Sequence, residues 1–491
     1  MDFIANAFGF FHWVGISHYF NLLFIGFLIR SGIEILSAHP KLYWNEGCRP
    51  GTEWARFTRK EMPSDRIWTG ADEEESFSSW IALPGRRQLG MGRHWHFFCA
   101  IFWIINGFTY VTLLFFSGEW RRLIPTSWSI FPQAARTAWT YLHLHLPPHG
   151  NPYNALQQIT YAAVVFLLAP LILITGTGMS PAISARFPGY LKMLGGRQSA
   201  RSLHFLALIA VCAFTFGHVT LVVIDDFPRN MAWIIHGKRT RETLSIFIAC
   251  VGLVIAVLLH IWATRWSLGS PRQVQRVLGA ALRPVRKTLL HGLTSRQHYS
   301  RADISPFFRV NGYPPITLSY EELAKSDFEN WSLEVRGLVA NPLRLSLGDL
   351  RAMPSRTQIT KHHCIQGWSG VAEWTGVPVQ EILLRCQPLA KAKYAVFFAF
   401  DEPHHPGKPY YETIDLGLAS QQQTILAYAM NGRPLPIEHG APCRLRVESQ
   451  LGFKMVKYLR SLELVDDFST IGQGQGGYRE DVQFYDPEAG I

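Results

Sequence analysis

The chain lacks any CxxC pair, and its seven cysteines (Cys48, Cys99, Cys212, Cys250, Cys364, Cys386 and Cys443) show no paired spacing. A disulfide framework and a zinc ribbon are therefore excluded, and any thiol chemistry must rest on a single cysteine. Three of the seven fall inside apolar runs, while Cys386 and Cys443 read as small core residues. No basic n-region and no small-residue cleavage site accompany the first apolar run, so it reads as a retained helix. No nucleic-acid recognition motif accompanies the net charge of +11; nucleic acid is not an expected partner. Acidic residues are absent between Arg265 and Arg301, where Lys and Arg number eight. The helical apolar spacing of PRQVQRVLGAALRPVRKTLL makes that stretch a juxtamembrane amphipathic helix lying on anionic headgroups.

What is present divides the 491 residues into unlike halves. Apolar runs near 10–30, 95–117, 156–176, 203–224 and 243–264 are each long enough, at about 1.5 Å per residue, to cross about 30 Å of hydrocarbon. Residues 303–491 read as a soluble α+β protein. The expected organisation is a transmembrane unit over 1–266, a basic linker over 267–302, a soluble domain over 303–470 and a flexible tail over 471–491 containing QGQGGYRE.

Ionisable residues inside a membrane are costly and mark function. The fourth run carries His204 and His218, fourteen residues apart. Fourteen steps of about 100° return both rings to one helix face, roughly 21 Å apart along the axis. In an up-down bundle, His12 on run one lies at the depth of His218, and His96 on run two at the depth of His204. That is the arrangement of two stacked bis-histidine b haems. His18 and His94 are rival ligands, and His260 on run five reads as interfacial.

HWVGISHYFNLLFIG (12–26), GRHWHFF (92–98) and RSLHF followed by GHV (201–219) resemble the b-type cytochrome subunits of nickel-iron hydrogenase, formate dehydrogenase and thiosulfate reductase. The resemblance implies His12 with His218 and His96 with His204 as haem pairs, and electron exchange between a membrane quinone and a redox partner. The charged loop 33–92 and the fifth span depart from that pattern.

In the soluble half, TQITKHHCIQGWS places Cys364 at the end of a strand, entering a loop. With Lys361, His362 and His363 just before it, the thiol is expected to have a depressed pKa and to offer a soft thiolate ligand. HCIQGWSGVAEWTGVPVQEIL and LAYAMNGRPLPIEHGAPCRLRVESQLGFKMVKYLRSLEL resemble the sulfite-oxidase superfamily of molybdopterin enzymes, and within it the catalytic subunits of periplasmic methionine-sulfoxide reductases. The resemblance implies Cys364 as the protein thiolate on molybdenum, and Asn311, His439, Arg444, Met455, Val456 and Lys457 as residues holding the pterin and its phosphate. A guanidinium, an ammonium and loop N–H groups suit an anionic phosphate. The chain departs at Ala399, His439 and Gln366, where the family has threonine, asparagine and an acidic residue. His404 and His405 read as a solvated loop.

The fold class expected is a membrane all-α bundle of five helices followed by an α+β molybdopterin domain of sulfite-oxidase type. The function expected is a multi-pass, inner-membrane oxidoreductase. It passes electrons between quinone and a molybdenum centre through two b haems, and reduces an S-oxide or N-oxide. A dehydrogenase of sulfite-type substrates, or a non-catalytic electron carrier, uses the same parts. Lys and Arg counts in the loops favour a cytoplasmic soluble domain. The Lys238-Arg239 pair before the fifth span resembles a degenerate twin-arginine export signal and favours the outer side, which is the expectation adopted.

Overall fold

Five apolar helices cross from one end of the membrane half to the other, and a two-sheet domain sits against one of those ends. The computed structural model describes residues 10–148, 153–236, 243–290, 297–402, 408–486 and 490. The side chains of 10–12, 236, 286, 289 and 290 lie outside that description, as do Lys238, Arg239, His404 and His405. The long helices are α1 (Phe10–Ser37), α2 (Leu89–Phe116), α3 (Ala155–Gly178), α4 (Arg197–His236) and α5 (Thr243–Gly269). All five are long and apolar enough to span a bilayer.

Two helices carry local breaks with identifiable causes. α3 passes through a π-helical turn at Val164–Leu168 just before Pro170, which has no N–H to donate. α4 bends at Asp226 (φ −162°, ψ 82°), two residues ahead of Pro228 and beyond the apolar run.

The basic linker forms α6 (Pro271–Leu290), and its apolar face meets protein. Val274 and Leu278 are buried with Met91, Trp95 and Ala263 of α2 and α5. Arg272 donates to the Glu480 and Asp481 carbonyls, and Gln275 to the Tyr485 carbonyl at 2.7 Å. Arg276, Arg283 and Lys287 remain exposed on the opposite face.

The soluble domain folds as two sheets over one core. β1 (Ser332–Gly337), β2 (Leu343–Ser346), β5 (Tyr394–Ala399), β6 (Tyr411–Asp415) and β10 (Leu459–Val465) form one sheet, ordered β2-β1-β10-β5-β6. β3 (Arg356–His363), β4 (Ser369–Pro378), β7 (Ile425–Met430) and β8 (Arg433–Pro434) form the other, ordered β8-β7-β4-β3, with β9 (Arg444–Arg446) also on β7. Leu333, Val335, Phe397, Leu462 and Leu464 of the first sheet share a buried cluster with Val377, Leu426 and Leu445 of the second. β4 is central, and it is accordingly buried along nearly its whole length.

Two segments read from sequence as loop and tail are folded parts of the assembly. In the 33–92 stretch, Glu73 accepts from Lys41 and from Arg309 of the soluble half, and all three are buried. The C-terminal stretch forms α7 (Tyr478–Gln483). There Glu480 pairs with Lys454, which also pairs with Glu412 at 3.0 Å, and Tyr411 donates to Asp481 at 2.5 Å. Gly472 and Gly477 are required there, because a Cβ would strike Tyr411 and Asp481 at the first and Glu412 and Glu480 at the second.

Removing one partner of a buried ionic group costs about 3–5 kcal/mol, whereas replacing the whole group is nearly neutral. Lys454→Met is therefore expected to destabilise the domain by about that amount, and adding Glu412→Gln and Glu480→Gln to restore most of it. Thermal unfolding of the three proteins in one detergent checks this.

Candidate functional site

Cys364 leaves β3 into a five-residue loop that returns as β4. The loop closes on itself: Cys364 N–H donates to the Trp368 carbonyl at 3.0 Å and Gly367 N–H to the Cys364 carbonyl at 3.2 Å. Gly367 takes φ +108°, which only glycine adopts without strain. The thiol is 1% exposed. Its sulfur accepts from Asn311 Nδ2 at 3.4 Å and lies 3.6 Å from Gln366 Oε1, which also accepts from Trp368 Nε1 at 3.1 Å.

The depressed thiol pKa expected from sequence is not what the fold produces. Burial pushes the Cys364 thiol up to about 12. Burial also holds His362 and His363 well below the usual histidine range, so both are neutral. His362 accepts from Arg446 through Nδ1 at 3.1 Å, and Lys361 is paired with Glu46 at 3.3 Å. The thiol therefore loses its proton only to a group that takes its place, as a metal does.

Asn311 links the thiol to a basic cluster, since its carbonyl accepts from Lys457 Nζ at 2.6 Å. Lys457 also donates to the Glu438 carbonyl at 3.1 Å. Arg444 donates to the His439 carbonyl at 2.8 Å and to the Met455 carbonyl at 3.4 Å, with its guanidinium 5.0 Å from the Trp374 ring centre. Burial pushes Lys457 down to about 7 and Arg444 down to about 9, each aided by a neighbouring cation. Arg444 Nε is buried without a partner. A buried cationic cluster with an orphaned donor fits an anionic phosphate. The N–H groups of Met455 and Val456 do not add to it: they bond to the Gly452 and Lys454 carbonyls within their own turn. His439 packs its ring edge-on against Phe308, and burial holds it down to about 3.

The membrane half reaches the same loop. At the start of α4, Arg197 donates to the Trp368 carbonyl at 3.3 Å and to Ser369 Oγ at 3.0 Å, and Gln198 donates to the Gly367 carbonyl at 2.9 Å. Glu74 of the 33–92 segment accepts from Gln366 Nε2 at 2.6 Å. Ala38, Tyr43, Cys48 and Leu89 share one buried cluster with Cys364, Ile365 and Trp368. Glu74 is invisible as a site residue in the sequence, because its partner lies 292 positions away.

Seven residues beyond Arg197, His204 faces Thr175. Thr175 Oγ1 gives its proton to the Leu171 carbonyl at 2.7 Å, so it accepts from His204 Nδ1–H at 3.1 Å. Ser31 repeats the device, donating to the Phe27 carbonyl at 2.7 Å and accepting from His96 Nδ1–H at 3.0 Å. Both rings thereby keep Nε2 as a free lone pair, the atom a haem iron takes. His18 Nδ1 donates to the Val14 carbonyl at 2.8 Å, and His218 Nδ1 lies 3.4 Å from the Tyr161 hydroxyl.

His96 and His204 are within electrostatic reach of each other, and so are His18 and His218. The His12 side chain lies outside the described residues, and His18 is the α1 histidine placed near His218. His94 points elsewhere: Nδ1 bonds the Gly90 carbonyl and Nε2 lies 3.4 Å from Asp486. His260 packs against Phe27 with the rings tilted by 31° and accepts from Arg30 at 3.2 Å.

Comparison with known proteins resolves the same two halves. Residues 9–237 match the prokaryotic cytochrome b561 family, and residues 320–470 match the oxidoreductase molybdopterin binding domain family. The putative protein-methionine-sulfoxide reductase subunit YedZ1 of Azospira oryzae is 34% identical over 37% of this chain and 63% of its own length. The protein-methionine-sulfoxide reductase catalytic subunit MsrP of Xanthomonas axonopodis is 37% identical over 28% of this chain and 45% of its own. The sulfane dehydrogenase SoxCD of Paracoccus pantotrophus is 23% identical over 31% of this chain and 40% of its own, at a TM-score of 0.27. The chain spans less than two thirds of the length of each. It joins, in one polypeptide, a b-type cytochrome membrane half and a molybdopterin-binding domain.

The neutral histidines carry a pH signature. Folded-state pKa values below the unfolded 6.5 mean that the unfolded chain binds protons the folded one refuses, so stability falls as pH drops below about 6.5. The melting temperature should fall between pH 7.5 and 5.5, less steeply in His439→Gln. An equal slope in that variant would remove His439 from the account.

Proposed function

We propose that this fusion is a membrane-bound, molybdopterin-dependent oxidoreductase of the inner membrane that takes electrons from quinol and reduces an S-oxide or N-oxide. Its soluble domain lies on the outer side. In the balanced reaction, one quinol and one sulfoxide give one quinone, one thioether and one water. The observation that carries this reading is the seat of the Cys364 loop on the first turn of α4. His204 follows Arg197 by seven residues, roughly 10 Å of helix, so a haem held there lies close to the thiol loop.

When bound, molybdopterin supplies two-electron oxygen-atom exchange at its metal, and b haems supply one-electron relay. Cys364 offers the single thiolate, held in place by the Cys364–Trp368 turn and the Asn311 amide. Arg444 and Lys457 would neutralise the pterin phosphate, with Asn311 and His439 bordering them; Met455 and Val456 precede Lys457 in a turn closed by the Gly452 and Lys454 carbonyls. His96 and His204 hold one haem, and His218 with His18 or His12 a second. Ser31 at the His96 level lies thirteen residues along α1 from His18, about 20 Å, which matches the spacing of His204 and His218 on α4. The domain-facing haem is thus the one nearer the thiol, and the other serves the opposite membrane face.

Detergent-purified protein, with molybdenum and haem quantified, tests this. After reduction by a quinol analogue, addition of a sulfoxide should reoxidise the haems at once. Cys364→Ser should keep both haems and lose molybdenum or turnover, and His204→Ala should lose the domain-facing haem. Reoxidation only by quinone, with sulfite as electron donor, would reverse the direction. Iron without molybdenum would leave a bare electron carrier.

A further inference from the structure

Glu34 is a carboxylic acid inside a membrane helix, and neither the haem ligands nor the thiol loop gives it a task. It sits three residues before the end of α1 and is fully buried. Its side chain lies on Gly92 of α2, where an added Cβ would strike it. One oxygen accepts from the Gln88 N–H at the start of α2, and the Gly85 N–H acts on the same carboxyl. The other oxygen has no hydrogen-bond partner among the described residues.

The charged groups around it are engaged elsewhere. On α1, Arg30 donates to the Ser79 and Ala82 carbonyls, to Thr264 and to His260. On α2, Arg93 lies over the Phe97 ring, His94 is held by the Gly90 carbonyl and Asp486, and His96 by Ser31. In the 33–92 segment, Arg86 and Arg87 stand exposed, Arg87 on the Glu74 carbonyl. None forms an ion pair with Glu34 among the described residues, and the groups that act on its charge are the two backbone N–H groups. An ionisable side chain in a membrane helix without a counter-ion is costly and marks function. Burial favours the neutral acid, while the N–H groups and the positive end of α2 favour the carboxylate. With those influences opposed, one unit of charge arriving or leaving nearby decides between the two forms.

The place where charge changes is one turn away. Ser31, three residues before Glu34, accepts from His96, and Gly92, on which Glu34 lies, is four residues before His96. On both helices the carboxyl is thus roughly 5 Å along the axis from the level of the domain-facing haem. In the other direction, Ala38, four residues on, packs in the cluster that holds Cys364. Glu34 therefore stands between the two redox centres.

Resting on the assignment of His96 and His204 to that haem, we infer that Glu34 is the proton site coupled to it. Glu34 takes up one proton when an electron from quinol reaches the haem, and releases it when that electron moves on to the thiol loop. A haem with two neutral histidine ligands is more positive by one unit when oxidised, which favours the carboxylate, and reduction removes that charge and favours the acid. Two such cycles carry two electrons and two protons, the number that turns one S-oxide or N-oxide into a thioether or amine and one water.

Spectropotentiometric titration of the full-length protein with its haems, in detergent between about pH 6 and pH 8, tests this. The midpoint of the haem that His204→Ala removes should fall by up to about 59 mV per pH unit, the value for one proton per electron. Glu34→Gln, which keeps an oxygen for the Gln88 N–H, should flatten that slope severalfold at unchanged haem content. Redox-difference infrared spectra of the wild type should gain a carboxylic acid C=O band on reduction, absent from Glu34→Gln. A pH-independent midpoint in the wild type overturns the inference without any variant. A slope unchanged in Glu34→Gln also overturns it, because the proton then sits elsewhere, as on a haem propionate. If His204→Ala removes no haem, the haem assignment itself is refuted and the inference falls with it.

Discussion

The whole arrangement hangs on the junction where α4 begins. Glu46 of the 33–92 segment accepts from the backbone N–H of Gln198 at 2.9 Å and pairs with Lys361 of β3 at 3.3 Å, so one carboxylate joins a membrane helix, its neighbouring segment and the strand that delivers Cys364. A carboxylate at a helix N-terminus also meets the positive end of the helix dipole. Arg197 and Gln198, in the same turn, then hold three groups of the thiol loop. The distance between His204 and that loop is consequently set by one stiff helix instead of by a flexible linker.

Around this junction the chain buries charge freely, and the energetics say what for. Arg309 with Glu73 and Lys41, and Lys454 with Glu412 and Glu480, are ionic groups almost wholly withdrawn from water. Such groups seldom stabilise more than well-packed hydrophobic residues would, because desolvation offsets most of the attraction. They do punish any arrangement in which a partner is missing. The first group locks the 33–92 segment to the soluble domain, and the second locks α7 to β6 and to the turn at Gly452–Lys454. Both segments reach the surroundings of the thiol loop, Glu74 by its bond to Gln366 and α7 through Arg479 and Gln483, so the geometry these charges enforce is that of the loop's packing.

What can be read in the sequence follows from how local each signal is. The five spans are contiguous apolar runs, and the fourteen-residue interval between His204 and His218 is a property of one helix. Cys364 at a strand end is equally local, as is its place before Gly367. The thiol's pKa is misread from sequence because its sign depends on burial: neighbouring lysine and histidines suggest cations, yet the fold neutralises both histidines and turns Lys361 to Glu46. Loop and tail are misread for a related reason. Acidic and basic residues scattered through 33–92 look solvated until Arg309, 236 positions from Glu73, brings the missing charge. The glycines of QGQGGYRE look flexible until the Ser469 backbone at Gly474, and Glu412 and Glu480 at Gly477, are seen to occupy the space a side chain would need.

Joining the halves in one chain has a consequence beyond raising the effective concentration of one for the other. α6 leaves α5 after Ser270, buries Val274 and Leu278 against α2, and reaches the far end of the chain through Arg272 and Gln275. The C-terminal segment that carries Arg479 is therefore fastened from the membrane side by α6 and from the domain side by Lys454. The thiol loop is closed within the fold by the same contacts that bring His204 near it. The nearness of His204 to the loop and the burial of Cys364 are two results of one interface.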